Sequence, residues 1–140
     1  MKNILTTCLF LILLQAKVDY DVIQLISAQE LYLSASLDIT DDSQIVAYAT
    51  YQPEVFIYSK FGKKYAIHQK IRDKDAKISI HVDLSSDGEW LVSSDKDGII
   101  FIYKKSDNKY ERSQILFNKT EKYGVAKISD DYWIACSKKN

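Results

Sequence analysis

Apolar and polar positions are ordered most clearly between Val82 and Tyr103. Three short apolar runs are separated there by Asp87-Gly88 and Asp97-Gly98. Asx-Gly pairs suit tight turns that need positive φ, so the stretch predicts three antiparallel strands joined by two turns. Just before the first turn, Ile78, Ile80, Val82 and Leu84 alternate with polar residues, as do Leu33, Ala35, Leu37 and Ile39. That period of two predicts a strand with two different faces. Val55–Tyr58 and Ile99–Tyr103 are instead continuously apolar, which predicts strands buried on both faces. The runs that follow, Lys64–Ile71 and Lys109–Leu116, are polar and predict half-exposed strands. No stretch carries a helical period with caps.

The pattern repeats. Shifted by 45 residues, Tyr20, Tyr65 and Tyr110 superpose, as do Gln24, Gln69 and Gln114, and Ile26, Ile71 and Leu116. Asp38 falls on Asp83, Asp42 on Asp87, and Phe56-Ile57-Tyr58 on Phe101-Ile102-Tyr103. A partial copy at Ile128–Ser137 matches Leu84–Ser94 with one residue deleted at the turn, which sets Asp131 on Asp87. Each unit predicts four strands. In the first copy these are Leu33–Thr40, Gln44–Thr50, Glu54–Lys60 and Lys64–Ile71. In the second they are Ile78–Ser85, Glu89–Ser94, Ile99–Lys104 and Lys109–Leu116. Periodic four-strand units with buried inner and polar outer strands predict an all-β chain of propeller blades, each sandwiched between neighbours.

Val82-Asp-Leu-Ser-Ser-Asp-Gly-Glu-Trp-Leu-Val-Ser-Ser94 resembles the first two strands of the WD-repeat family of β-propellers. Ser94-Asp-Lys-Asp-Gly-Ile-Ile-Phe-Ile-Tyr103 resembles that family's second turn and third strand. The resemblance runs from about Val18 to Ser137. It departs from the family at several places. The Gly-His pair before the first strand is missing from every copy. Tyr58 and Tyr103 stand where the family has Trp, and Ser59 and Lys104 where it has Asp. Asp97 matches the family's turn Asp, but its counterpart in the first copy is Gln52. The resemblance implies blades of four antiparallel strands and a non-catalytic protein-interaction or scaffold module. The alternative is part of an enzyme or ligand-sensing propeller whose site residues lie in blades absent from this chain.

The apolar N-terminal segment, residues 1–17, carries Ile4–Leu14, too short to span a bilayer, which takes about 20 residues. It reads either as a signal peptide, with a poor cleavage site because Leu14 is not small, or as a strand. Leu9–Leu13 lies 90 residues before Ile99–Tyr103, the place of a third strand, and Tyr20–Ile26 that of a fourth. The organisation expected is thus a half-blade at 9–26, blades at 33–71 and 78–116, and a half-blade at 122–137. That makes about three blade-equivalents, an incomplete propeller, where closure takes roughly four to eight. Two explanations follow. The chain is a fragment of a larger propeller, or two copies join head to tail in a six-bladed ring.

Composition adds mostly exclusions. With 19 basic and 19 acidic residues the formal net charge is +0, so no global field attracts nucleic acid or an anionic membrane. Cys8 and Cys136 make neither a disulfide framework nor a zinc set. The recurring carboxylates Asp41-Asp42, Asp87 and Asp130-Asp131 read as turn residues rather than as acid–base pairs, because they repeat with the fold. Asp95-x-Asp97-Gly98 is not a calcium loop: its Gly comes too early and no Glu follows at the twelfth position. His68 and His81 have no metal spacing and no nucleophile motif beside them, and Cys136 reads as a core thiol. No catalytic residue, metal site or cofactor is expected. Lys60, Lys63, Lys64, Lys104, Lys105 and Lys109 cluster in two equivalent outer hairpins with Tyr65 and Tyr110. They suit either edge protection or an acidic partner. The expectation leans to an intracellular protein. Asn118-Lys119-Thr120 is a glycosylation acceptor only if the chain is secreted.

Overall fold

A computed structural model describes residues 34–117 and 122–139. The expectations for residues 1–17 and 9–26, including Tyr20 and Gln24, and for Asn118 lie outside them. The described residues are all strand and turn. A first antiparallel sheet holds β1 (Ser34–Ile39), β2 (Ile45–Thr50), β3 (Glu54–Phe61) and β4 (Lys64–Arg72) in sequence order. A second holds β5 (Ser79–Leu84), β6 (Trp90–Asp95), β7 (Ile100–Ser106) and β8 (Lys109–Leu116), again in order. Among the described residues a third holds β9 (Lys122–Ile128) and β10 (Ile134–Lys139).

The 45-residue shift survives in the strand register. Val46 faces Tyr58 and Leu91 faces Tyr103. The outer pairing slips between Ile57 and Tyr58 in one sheet and between Ile102 and Tyr103 in the other. The inner pairing slips between Ser34 and Ser36, and again between Ser79 and His81. Equivalent bulges at equivalent residues give both sheets the same local twist.

The sheets stack face to face, which explains the continuous apolar runs. In β7, Phe101 and Tyr103 point toward the first sheet and join Ala47, Ala49, Val55 and Ile57 in one cluster. Ile100 and Ile102 point the other way and pack with Val92 on Ala126 and Ile128 of β9. A strand between two neighbours needs apolar side chains at every position, whereas β8 and β4 lie at outer edges and keep polar ones.

Candidate functional site: the cleft between the first two sheets

The recurring polar residues are bound into turns. The Thr40 hydroxyl donates to Asp42 Oδ1 over 2.7 Å, and the same oxygen accepts the Gln44 amide at 2.9 Å. The Ile45 amide closes on Thr40 Oγ1 at 3.1 Å. Forty-five residues on, Ser85, Asp87, Glu89 and Trp90 repeat all three bonds at 2.7, 3.0 and 2.9 Å. The shortened third copy keeps one of them, Trp133 amide to Ser129 Oγ at 3.1 Å, while Asp131 is exposed. The residue closing each turn has positive φ: Ser43 (57°), Gly88 (70°) and Tyr132 (62°). Tyr65 donates its hydroxyl to the Ser43 carbonyl at 2.7 Å, and Tyr110 to that of Gly88 at 2.6 Å. Tyrosine on the fourth strand therefore anchors the first turn of its own sheet.

These bonds set the charges. The Gln44 amide and the Thr40 hydroxyl hold the Asp42 carboxyl below the usual carboxylate range, and nearby Lys105 adds to this. Asp87 is lowered first by the Tyr132 hydroxyl, 2.6 Å from Oδ2, then by the Glu89 amide and Ser85. Burial pushes the phenols of Tyr58, Tyr103 and Tyr110 up. Tyr58 is 5% exposed and Tyr103 2%, so both are core residues. Cys136 is partly buried, and its thiol is raised by that burial, opposite to what a nucleophile needs.

Sequence reasoning placed Gln69, Asp38 and Asp83 in the repeat without a role, and weighed Asp95 only as part of a calcium loop. The first three join neighbouring sheets. Asp38 accepts the Leu84 amide at 2.6 Å, and Asp83 accepts the Ile128 amide at 2.8 Å and pairs with Lys127. Gln69 donates to the Tyr110 carbonyl at 2.9 Å and accepts its amide at 2.8 Å. Gln114, the next copy, is exposed on β8. The 45-residue recurrence of Asp38 and Asp83 was the available signal. At the second turn it is Asp95, fully buried, whose Oδ1 accepts the amides of Asp97 and Ile99. Asp97 reaches outward to Lys77 at 2.6 Å, which lowers its carboxyl. The turn role of Asp95 carried no repeat signal, because Thr50 fills its place in the first copy, where the Thr50 hydroxyl oxygen accepts the Gln52 amide.

Between the first two sheets, at the end carrying these turns, opens a cleft of about 320 Å³. Asp42 and Asp87 line it from the turns, Lys60 and Lys105 from the ends of β3 and β7, with Tyr110 on its wall. Phe61 stands on its lip, 64% exposed. His68 also lines it, with Nε2 2.5 Å from the Asn108 carbonyl oxygen, which ties β4 to the β7–β8 turn. Lys63, Lys64, Lys104 and Lys109 are exposed on the same two hairpins. His81 lies elsewhere, between β1 and β9, with Nδ1 3.1 Å from Ser36 Oγ. Among the described residues no group of three His, Cys, Asp or Glu side chains is placed to hold a metal ion. Nor is any helix there long and apolar enough to cross a membrane. What the cleft offers chemically is mixed charge and one exposed aromatic ring.

No protein-family model matches the chain, and no curated protein matches it significantly.

Proposed function

We propose that this chain is a non-catalytic protein-interaction module. Its four-stranded sheets act as blades of a β-propeller resembling the WD-repeat type, and the inter-sheet cleft takes an acidic segment of a partner protein. The observation that carries the reading is the cleft's rim. Exposed Phe61 stands on the first of two lysine-bearing hairpins that sit at the same place in both repeats. In a chain of zero net charge, that local excess of cations favours a partner bringing carboxylates. An exposed aromatic ring beside such cations can serve as an energetic anchor of a protein interface. The turn carboxylates support the non-catalytic part, since Asp42 and Asp87 are each engaged by a hydroxyl and a backbone amide.

A photo-crosslinking residue at position 61, in cells that express the protein, tests this. The expected result is discrete protein adducts mapped to acidic segments, lost when Lys60→Glu and Lys105→Glu are combined. Adducts to nucleic acid, or none to protein, would contradict it.

A further inference from the structure

We propose that the partner segment seated in the inter-sheet cleft is itself dipolar. It carries a lysine or arginine toward the β1–β2 and β5–β6 turns, acidic residues toward the lysine hairpins, and an apolar side chain between them. The inference rests on the interaction reading above and names the partner's chemistry further.

Strand order sets the field across the cleft. In both sheets the strands run in chain order, so the first turn and the last hairpin lie side by side at one end of the sheet. The Lys60 amide donates to the Gln44 carbonyl at 2.9 Å, and the Lys105 amide to that of Glu89 at 2.8 Å, which fixes this neighbourhood in each repeat. The turns carry Asp41, Asp42, Asp87 and Glu89, all exposed. The hairpins carry Lys60, Lys63, Lys64, Lys104, Lys105 and Lys109. Carboxylates therefore stand toward β1 and β5, and cations toward β4 and β8. A uniformly acidic segment laid across the cleft would meet like charge at the turns. A segment with a cation at that end meets opposite charge at both, and such complementarity fixes its register.

The cleft does not neutralise itself. Neither Lys60 nor Lys105 is ion-paired with Asp42 or Asp87. On Asp42, Oδ1 takes both turn bonds, from the Thr40 hydroxyl and the Gln44 amide, and among the described residues Oδ2 has no partner. Those two bonds keep the carboxyl ionised at neutral pH, since they hold it below the usual carboxylate range. On Asp87, by contrast, Oδ2 already accepts the Tyr132 hydroxyl at 2.6 Å. Asp42 Oδ2 is thus the acceptor left for an incoming cation.

Between the two charge zones the wall is apolar, made by Ile45, Ile57 and the buried ring of Tyr110, with Phe61 on the lip. A volume of about 320 Å³ lies at the low end of ligand pockets, roughly 300–1,000 Å³, and suits a single inserted side chain. Neighbouring strands lie about 4.8 Å apart, so the turns and the lysine hairpins are separated by roughly 7–10 Å. An extended peptide advances about 3.3 Å per residue, so its opposite charges should stand about two to three residues apart.

A random peptide library selected against the immobilised full chain tests this. Enriched peptides should pair one lysine or arginine with aspartate or glutamate at that spacing, across an apolar residue. Asp42→Asn keeps Oδ1 for both turn bonds and removes the charge. Against that variant the basic residue should be depleted and the acidic ones retained. Against the combined Lys60→Gln and Lys105→Gln variant the reverse should hold. In solution, replacing a selected peptide's basic residue with glutamine should weaken binding to the native chain by roughly threefold, the scale of a half-exposed ion pair. The same replacement should leave binding to the Asp42→Asn variant unchanged. Enrichment of purely acidic peptides on the native chain would overturn the dipolar partner and leave the acidic-segment reading standing. Peptides with no common charge pattern would overturn both. The native-chain selection decides even if the Asp42→Asn variant fails to fold.

Discussion

His81 shows how a single residue can report on the stack. It sits between β1 and β9, near Ser36, Asp38, Asp83 and Lys127. Burial is the main force holding its imidazole toward the neutral form, and Lys127 adds to it against the two carboxylates. Its folded pKa is therefore below the unfolded value of 6.5. The unfolded chain takes up the proton first, so stability is complete above about pH 6.5 and falls as pH drops from there toward the folded value. Urea midpoints at pH 7.5 and 5.5 should differ in the native chain and converge in His81→Gln. An equal drop in both proteins would contradict this placement. Asp42 and Asp87 act in a separate window. Their lowered pKa values add stability above the ordinary carboxylate value of 3.8, and it is lost as pH falls through the folded values.

The eight strands of the first two sheets were legible in the sequence to within a residue or two. Period-two alternation, Asx-Gly turns and doubly apolar runs are local signals, and a sheet whose strands follow chain order obeys local signals. The bonds between sheets were less legible. Nothing in composition separates Asp38, which caps a neighbouring strand, from Asp42, which closes its own turn. The cleft was visible only as two lysine clusters, because its walls come from hairpins 45 residues apart. Gly98 also belongs to this level. Its φ is 83°, and its carbonyl accepts the Tyr123 amide at 3.2 Å. A Cβ there would lie 2.6 Å from Lys122 Cβ and 2.8 Å from Lys122 Cα, so β9 would have to move. At Gly62, with φ of 61°, nothing lies within 4 Å. Gly62→Ala should cost about 1 kcal/mol, the left-handed penalty alone. Gly98→Ala should cost at least about 2 kcal/mol more, by analogy with overpacking. Equal costs in urea unfolding would contradict the close approach of the second and third sheets.

For the whole molecule, one repeat unit accounts for most of what is seen. The same turn bonds, bulges, tyrosine anchors and inter-sheet carboxylates recur at the same shift. Repetition explains why Asp42 and Asp87 make the same bonds in their turns. It also sets the mechanical expectation that each sheet is held by its neighbours through a few named bonds. Amide hydrogen exchange followed by nuclear magnetic resonance tests this most directly, at Leu84, Tyr110 and Ile128, whose donors bond to side chains of the preceding sheet. All three should be protected as strongly as the sheet core. Asp38→Ala should release Leu84 and leave Ile128 protected, and Asp83→Ala should do the reverse. Exchange of these amides at the unfolded rate in the native chain would contradict the stacked-repeat account.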